Sequence, residues 1–265
     1  MQRRVVSRGV NGPLEIKRVQ PLQWQIATIK TVKLETPGVK TFTLALPGWV
    51  RHRAGQHYDV RLTAPDGYQA QRSYSIASEP EREGEIDLTV ELIEDGEVSR
   101  YLIDVLAPGD QIEVRGPIGG YFVWEANMTD PLLLVAGGSG IVPLMAMLRH
   151  RAAAGSTVPT RLLYSSRSPS DIIYAQELEQ LSASPDGPEV FYTLTRSQPP
   201  GWNGFARRID REMLAEVAQP FGTAARAYIC GPTLLVESVA TLLGEMGFPA
   251  EQIRTERFGP TGTSS

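Results

Sequence analysis

Along residues 24–124 the apolar positions fall in short, β-branched runs broken by Gly, Pro and Asp: QIATIKTV, KTFTLALP, QHYDVRLT, RSYSIAS and EIDLTVELI. This texture predicts antiparallel strands in a sheet or barrel. Within 86–92, Ile86, Leu88, Val90 and Leu92 alternate with Asp87, Thr89 and Glu91, the period-two pattern of a strand with one buried face. Around VSRYLIDVL the period lengthens. Val98, Leu102, Val105 and Leu106 fit one face of a helix that Pro108 and Gly109 end.

From about residue 130 strands alternate with amphipathic helices: LLLVA then IVPLMAMLRH, TRLLY then DIIYAQELEQL, VFYTL then DREMLAEV, AYIC then PTLLVESVATLLGEMG. Such alternation predicts a doubly wound parallel sheet. Pro143 and Pro232 are expected in the first turns of their helices and Gly247 just past the end of the second. The expected organisation is therefore a two-domain chain: a basic arm over 1–22, an antiparallel β-barrel over 23–127, and an α/β nucleotide-binding domain over 128–265. No internal repeat is seen.

A length of 265 residues accommodates two cores of this kind. With 26 Lys and Arg against 30 Asp and Glu, the net charge is −4, and 42% of residues are hydrophobic. That balance is an ordinary globular one and does not suggest a nucleic-acid binder. The single cysteine, Cys230, can form no internal disulfide and cannot supply the four thiolates of a plant-type iron–sulfur cluster. No run is long enough to span a membrane, and MQRRVVSRGVNGPLEIKR lacks the apolar core of a secretory signal, so a cytoplasmic location is expected. Before residue 23, Arg3, Arg4, Arg8, Lys17 and Arg18 face Glu15 alone, which reads as a loose terminus or as a docking arm for an acidic partner. His52, His57 and His150 show no metal-ligand spacing and are expected to pack or lie at the surface. No metal is anticipated.

LLLVAGGSGIVPLMAML places Gly137, Gly138, Ser139 and Gly140 between a buried strand and a helix. It reads either as a tight connection or as a phosphate cradle, in which backbone and the positive helix end approach a pyrophosphate. From Gly138 the pattern is G-x-G-x-x-P, with Pro143 where a dinucleotide fingerprint carries Gly or Ala. Ser165, Ser166 and Arg167 follow the second parallel strand, before a helix expected to start at Asp171; Thr195 and Arg196 follow the third. Ligands of open α/β sheets bind outside the carboxyl ends of the strands, so these loops share one crevice. Two hydroxyl-plus-arginine pairs there suit a 2′-phosphate and favour NADPH over NADH.

At RSYSIAS the chain closely resembles the ferredoxin–NADP reductase superfamily: Arg72, Tyr74 and Ser75 match its flavin-binding R-x-Y-S. The likeness continues through Gly96 to Ser99, the GGSGIVP turn, Cys230 to Pro232, and Glu256 to Gly259. It covers nearly everything after residue 23, and VSRYLIDVLAPGDQIEVRGPIGGYFVW is similar to reductase components of bacterial oxygenases. The resemblance implies that Arg72 pairs with a flavin pyrophosphate, Tyr74 lies against the isoalloxazine and the Ser75 hydroxyl approaches flavin N5. It adds Ser73, Val90, Leu92, Gly96, Val98 and Ser99 as contacts of FAD, and Gly138, Ser139, Gly140, Ser166, Arg167, Thr195, Arg196, Cys230, Gly231 and Pro232 as contacts of the nicotinamide nucleotide. Ser75, Cys230 and Glu256 would carry the chemistry, with Phe258 shielding the flavin or merely packing.

The activity so implied is passage of a hydride from NADPH to FAD, then of single electrons to a separate redox protein such as a ferredoxin or an oxygenase component. Arg51, His52 and Arg53 are candidate contacts for that acceptor. Two other readings are an NADH-dependent flavin reductase or diaphorase and a non-catalytic nucleotide-responsive module. The oligomeric state stays open.

Overall fold

A computed structural model describes residues 22–258. The residues 1–21 of the expected arm and Gly259 of the terminal motif lie outside them. Six strands form the first sheet: β1 Gln25–Thr36, β2 Val39–Ala45, β3 His57–Thr63, β4 Gln69–Ser75, β5 Glu85–Glu91 and β6 Gln111–Ile118. Their order is β4-β3-β6-β1-β2-β5, every pairing antiparallel. The two outer strands meet through an antiparallel bridge between Ile76 and Leu88, which rolls the sheet into a barrel. Inward-facing Ile29, Phe42, Leu44, Val60, Ile86, Leu88 and Val114 fill it, as the alternation along each strand requires. A helix, α1 Glu97–Asp104, covers one end with Val98, Leu102 and Ile103. It stops short of the expected Leu106, with Val105 as its cap.

The second sheet is parallel and orders β7 Leu132–Gly137, β8 Thr160–Ser166, β9 Glu189–Leu194, β10 Arg226–Pro232 and β11 Ile253–Phe258 as β11-β10-β7-β8-β9. Helices α2 Ile141–Ala153, α3 Ala175–Ser182, α4 Arg211–Ala218 and α5 Thr233–Glu245 cover it. Two cores flank the sheet: Leu132, Leu134 and Ala136 face one way with α2, while Leu133, Val135 and Ile229 face the other with α4 and α5. β7 is therefore buried on both sides, as a central parallel strand must be.

Two of the remaining local expectations change. Pro143 does lie in the first turn of α2, but Pro232 closes β10 and stands one residue before α5, with an extended ψ of 142°. Gly247 does follow α5, with φ 91° and the N–H of Phe248 returning to Leu243. α3 begins at Ala175 and not at Asp171, after a single 3-10 turn at Pro169–Asp171.

The lobes share a core in which Val39, Ala54, Ala77, Phe122 and Trp124 of the barrel side pack among Leu134, Met145, Met147 and Tyr228. Phe122 meets Tyr228 edge to face, with centroids 5.4 Å apart, and the Tyr228 hydroxyl donates to the Val123 carbonyl at 2.7 Å. Leu88 is 2% exposed at the bridge that closes the barrel. Leu88→Ala is expected to lower unfolding stability by roughly 2–5 kcal/mol, read from urea denaturation, through lost burial and a residual cavity. An unchanged midpoint would mean that closure contributes nothing.

Candidate functional site

Beyond the Ile76–Leu88 contact, β4 and β5 are not laddered together, and α1 stands over the gap. Arg72 and Tyr74 share one face of β4 by strand alternation, and Ser73 and Ser75 the other. Arg72 is exposed, and among the described residues its Nη1 donates to the neighbouring Gln71 carbonyl at 2.7 Å and no carboxylate pairs with it. Tyr74 is half-buried against the barrel core, and burial pushes its phenol up to about 12. The ring thus remains a neutral, flat apolar face with a donor at its tip. Ser73 is turned away, donating to Asp59 at 2.7 Å, and Asp59 also pairs with Arg115. Ser75 is buried on that second face, opposite His57.

Across the gap, Val90 is buried in the barrel core and Leu92 packs beside it. Gly96 caps α1, and a side chain there would run into Ser99 Oγ at 2.4 Å. The Ser99 hydroxyl points inward, accepting from the Ile93 N–H at 3.2 Å and bonding the Gly96 carbonyl. What this turn offers an anion is therefore the set of first-turn N–H groups at Glu97, Val98 and Ser99, which a helix cannot satisfy internally. Tyr68, whose hydroxyl donates to Glu97 at 3.1 Å, stands close enough for Arg72 to act on its phenol; sequence pattern gave no sign of that pair.

In the second lobe two glycine loops interlock at the carboxyl ends of adjacent strands. A side chain at Gly140 would lie 2.1 Å from the Cys230 carbonyl, and one at Gly137 would strike Leu235 at 2.6 Å. A side chain at Gly231, where φ is 152°, would meet the Gly137 backbone at 3.0–3.1 Å. Gly138 differs. With φ 53° and nothing within 4 Å of where a side chain would project, it opens on free space, as does the half-buried Ser139 beside it. A cradle of bare backbone ahead of α2 fits a pyrophosphate. Past the sheet, β8 and β9 stay zipped together: the Thr195 N–H donates to Ser166 at 3.0 Å and the Arg196 N–H to Arg167 at 2.9 Å. Arg167 and Arg196 are thereby held side by side and exposed, and neither has a carboxylate partner among the described residues.

Cys230 sits opposite Glu256 of β11 in the parallel ladder. It is fully buried, and burial together with the neighbouring carboxylate raises the thiol well above its usual range, so it is a neutral, compact, polarizable group. Burial raises the Glu256 carboxyl to about 7, and its Oε2 is enclosed without a hydrogen-bond partner. An orphaned carboxyl oxygen beside an open glycine turn fits a site whose remaining polar partner is a ligand. Phe258 ends β11 opposite Pro232, partly buried against the shared core. The residues present fit both a flavin nucleotide and a nicotinamide nucleotide, and the two sets face one junction: the Gly138–Gly140 turn contacts β5 directly.

The Oxidoreductase FAD-binding domain family matches residues 27–123, and the Oxidoreductase NAD-binding domain family matches residues 134–241. A relative named ferredoxin–NADP reductase B, from Sorangium cellulosum, is 36% identical over 209 residues, covering 77% of this chain and 84% of that one. The chain belongs to the ferredoxin–NADP reductase superfamily. It is a flavoprotein oxidoreductase that takes FAD and a nicotinamide nucleotide and feeds electrons to a partner. The glycine betaine monooxygenase reductase subunit of Chromohalobacter salexigens is 30% identical over 240 residues, covering 89% of this chain but 64% of that relative's length. A solved ferredoxin NADP+ reductase from Neisseria gonorrhoeae with bound FAD and NADP has the same fold, with a TM-score of 0.76 at 24% identity, covering 88% of this chain and 98% of that one. No helix among the described residues is long and apolar enough to cross a membrane, and no group of His, Cys, Asp and Glu there could hold a metal.

The expected acceptor contacts at Arg51, His52 and Arg53 are engaged internally. Arg51 pairs with Glu81 at 2.7 Å, Arg53 pairs with Glu125, and His52 is 2% exposed with Nε2 on the Ser78 carbonyl. Burial lowers His52 from its usual value, so the exposed charge of this segment is that of Arg51 and Arg53 in their ion pairs.

Glu256 leads to a pH prediction. The folded carboxyl keeps its proton up to about 7, whereas an ordinary glutamate releases it near 4.5. Its contribution to stability is therefore complete below about 4.5, declines as pH rises toward about 7, and is level above that. Glu256→Gln is expected to flatten this decline in denaturation measured across the interval; an unaltered slope would remove Glu256 as its source.

Proposed function

We propose that this protein is an NADPH-dependent, FAD-containing reductase whose physiological acceptor is a separate one-electron redox protein, such as a ferredoxin or an oxygenase component. The observation that carries the nucleotide preference is the pair of exposed arginines, Arg167 and Arg196, clamped together by backbone bonds at the ends of β8 and β9. Two guanidinium forks without carboxylates form a receptor for a dianion, and a 2′-phosphate is the dianion that distinguishes NADPH from NADH. Flavin, when bound, supplies the conversion from a two-electron donor to one-electron acceptors.

The chain's own work is placement. Arg72 and the first-turn N–H groups of α1 would hold the flavin phosphates, and Tyr74 would offer its flat face to the ring system, with the Ser75 hydroxyl as the neighbouring polar group. The open turn at Gly138 to Gly140 would hold the nicotinamide nucleotide's pyrophosphate, and Cys230, Gly231 and Pro232 would line the place of its pyridine ring. There the Cys230 thiol is small and uncharged, leaving the ring room without electrostatic competition. Glu256, holding a proton at its carboxyl below about 7, is the group in that corner able to donate to a ligand heteroatom. By holding both nucleotides at one junction, these residues would supply proximity and orientation to the reaction.

Anaerobic titration with NADPH and with NADH, following loss of the oxidised flavin absorbance, tests this function. Arg167→Ala and Arg196→Ala are each expected to weaken NADPH binding by about tenfold or more, the scale of a lost charge-assisted contact, while leaving NADH nearly unchanged. Equal losses for both nucleotides would overturn the 2′-phosphate assignment.

A further inference from the structure

Away from the glycine loops a second, entirely polar path connects the lobes. Tyr174 is the one non-glycine residue with positive φ among the described residues, at φ 61° and ψ 25°. A bulky aromatic residue holds that conformation only where its surroundings overdetermine it. Its ring is 3% exposed, and its hydroxyl crosses into the barrel to donate to Thr89 Oγ1 of β5 at 2.5 Å. Thr89 lies 2.7 Å from Thr41 Oγ1 of β2, and Thr41 donates to Glu35 of β1 at 2.8 Å. Because the Thr41 proton is committed to Glu35, Thr89 must donate to Thr41. Every hydroxyl in the row then gives one proton in the same direction and the row ends on a carboxylate, an arrangement in which each bond polarises the next.

The same loop also reaches the dinucleotide turn. The Ile173 N–H, one residue before Tyr174, donates to the Tyr164 hydroxyl at 3.3 Å, and Tyr164 donates to the Gly138 carbonyl at 3.1 Å. Arg149 fixes the other side of the ring. Its guanidinium lies 5.0 Å from the Tyr174 centroid, forks onto Glu177 at 2.7 Å twice, and gives its remaining N–H to the Ala77 carbonyl of the barrel at 2.8 Å. Gly138 of the nucleotide turn and Thr89, the neighbour of Val90 on the flavin side, are therefore tied through residues 173 and 174.

We propose that Tyr174 is a positioning residue for hydride transfer, its hydroxyl latching the nucleotide lobe to β5 so that the separation of the nicotinamide from the flavin is fixed. This rests on the proposed function, since it concerns the two rings that function brings together. A hydroxyl whose only role was to satisfy a buried donor would leave that separation unchanged when removed. A latch would not.

Tyr174→Phe in the flavin-loaded protein keeps the ring and removes the bond. In anaerobic stopped-flow mixing with NADPH, the saturating rate of flavin reduction is expected to fall roughly ten- to hundredfold while the nucleotide's dissociation constant changes by less than about twofold. The long-wavelength charge-transfer absorbance of the flavin–nucleotide pair is expected to weaken in parallel. In the nucleotide-free protein, amide exchange at Ile173 and across the 137–140 turn is expected to speed up. Thr89→Val removes the acceptor from the barrel side and should reproduce these changes, with the double variant no worse than either single one. Full saturating rate and unchanged exchange in both variants would overturn the latch, as would additive losses in the double variant. Reduction of the wild-type flavin by NADPH is a separate reading: its absence defeats the proposed function, whereas the exchange result still decides whether Tyr174 couples the lobes.

Discussion

The structure depends on one apolar seam. Phe122, Trp124, Ala54 and Ala77, carried by the barrel side, are buried among β7, β10 and α2, in a core that both lobes share. Gly55 shows how closely the halves approach. At φ 100°, a side chain there would overlap the Phe122 carbonyl at 1.9 Å and the Met147 methyl at 2.9 Å. Burial of this kind is nondirectional, and it brings the lobes together without choosing their angle. The polar contacts that decorate the seam select the angle: Tyr228 on Val123, Arg149 on Ala77, and the His150–Glu81 pair at 3.0 Å.

With the lobes fixed, the chemistry is concentrated where secondary structure gives out. The β4–β5 contact ends at Ile76 and Leu88, and the polar groups expected to hold a flavin begin immediately past it, at Tyr74 and Arg72. On the parallel sheet the turns after β7 and β10 leave so little space that a methyl group at Gly140 would collide with backbone, yet Gly138 between them is open. Close packing on one side of a loop with clearance on the other is what lets bare N–H groups face a ligand. The same geometry buries Cys230 and Glu256 side by side and accounts for the displaced titration of both.

Much of this was legible in the sequence, because hydrophobic period and turn residues are local signals. The strand–helix repeats after 130 describe the parallel sheet well, and the alternation at 86–92 locates β5 but not its burial: Asp87 and Thr89 are buried too, so the strand is covered on both faces and not on one. β11 was not expected: Ile253 to Glu256 are each only partly buried, so the strand lacks the apolar run that marks β7. The start of α3 was misplaced for a related reason, since Ile173 and Tyr174 are held out of the helix by contacts to Tyr164 and Thr89, remote in sequence. Nothing in the composition of that loop signals a tyrosine at positive φ. The basic run at 51–53 carries less unpaired charge than its sequence suggests, because its partners lie 30 and 72 residues away at Glu81 and Glu125, and a charge count cannot see pairing across a fold.

Arginine pairing then separates scaffold from site. Arg61 forks onto Glu113, Arg82 bridges Glu85 and Asp87, Arg149 grips Glu177, and Arg226 holds Asp130. Each neutralises a carboxylate and pins two segments, and none retains charge to attract a substrate. Arg72, Arg167 and Arg196 do the reverse: their backbone is held by strand or ladder, their side chains are exposed, and no carboxylate among the described residues meets them. A guanidinium kept in water without a counter-ion adds little to stability, so its placement on rigid backbone is better explained by an anion that arrives than by the fold itself. One such arginine stands at the barrel gap and two stand at the far end of the crevice. That division would suit the phosphates of two nucleotides, one held by each lobe.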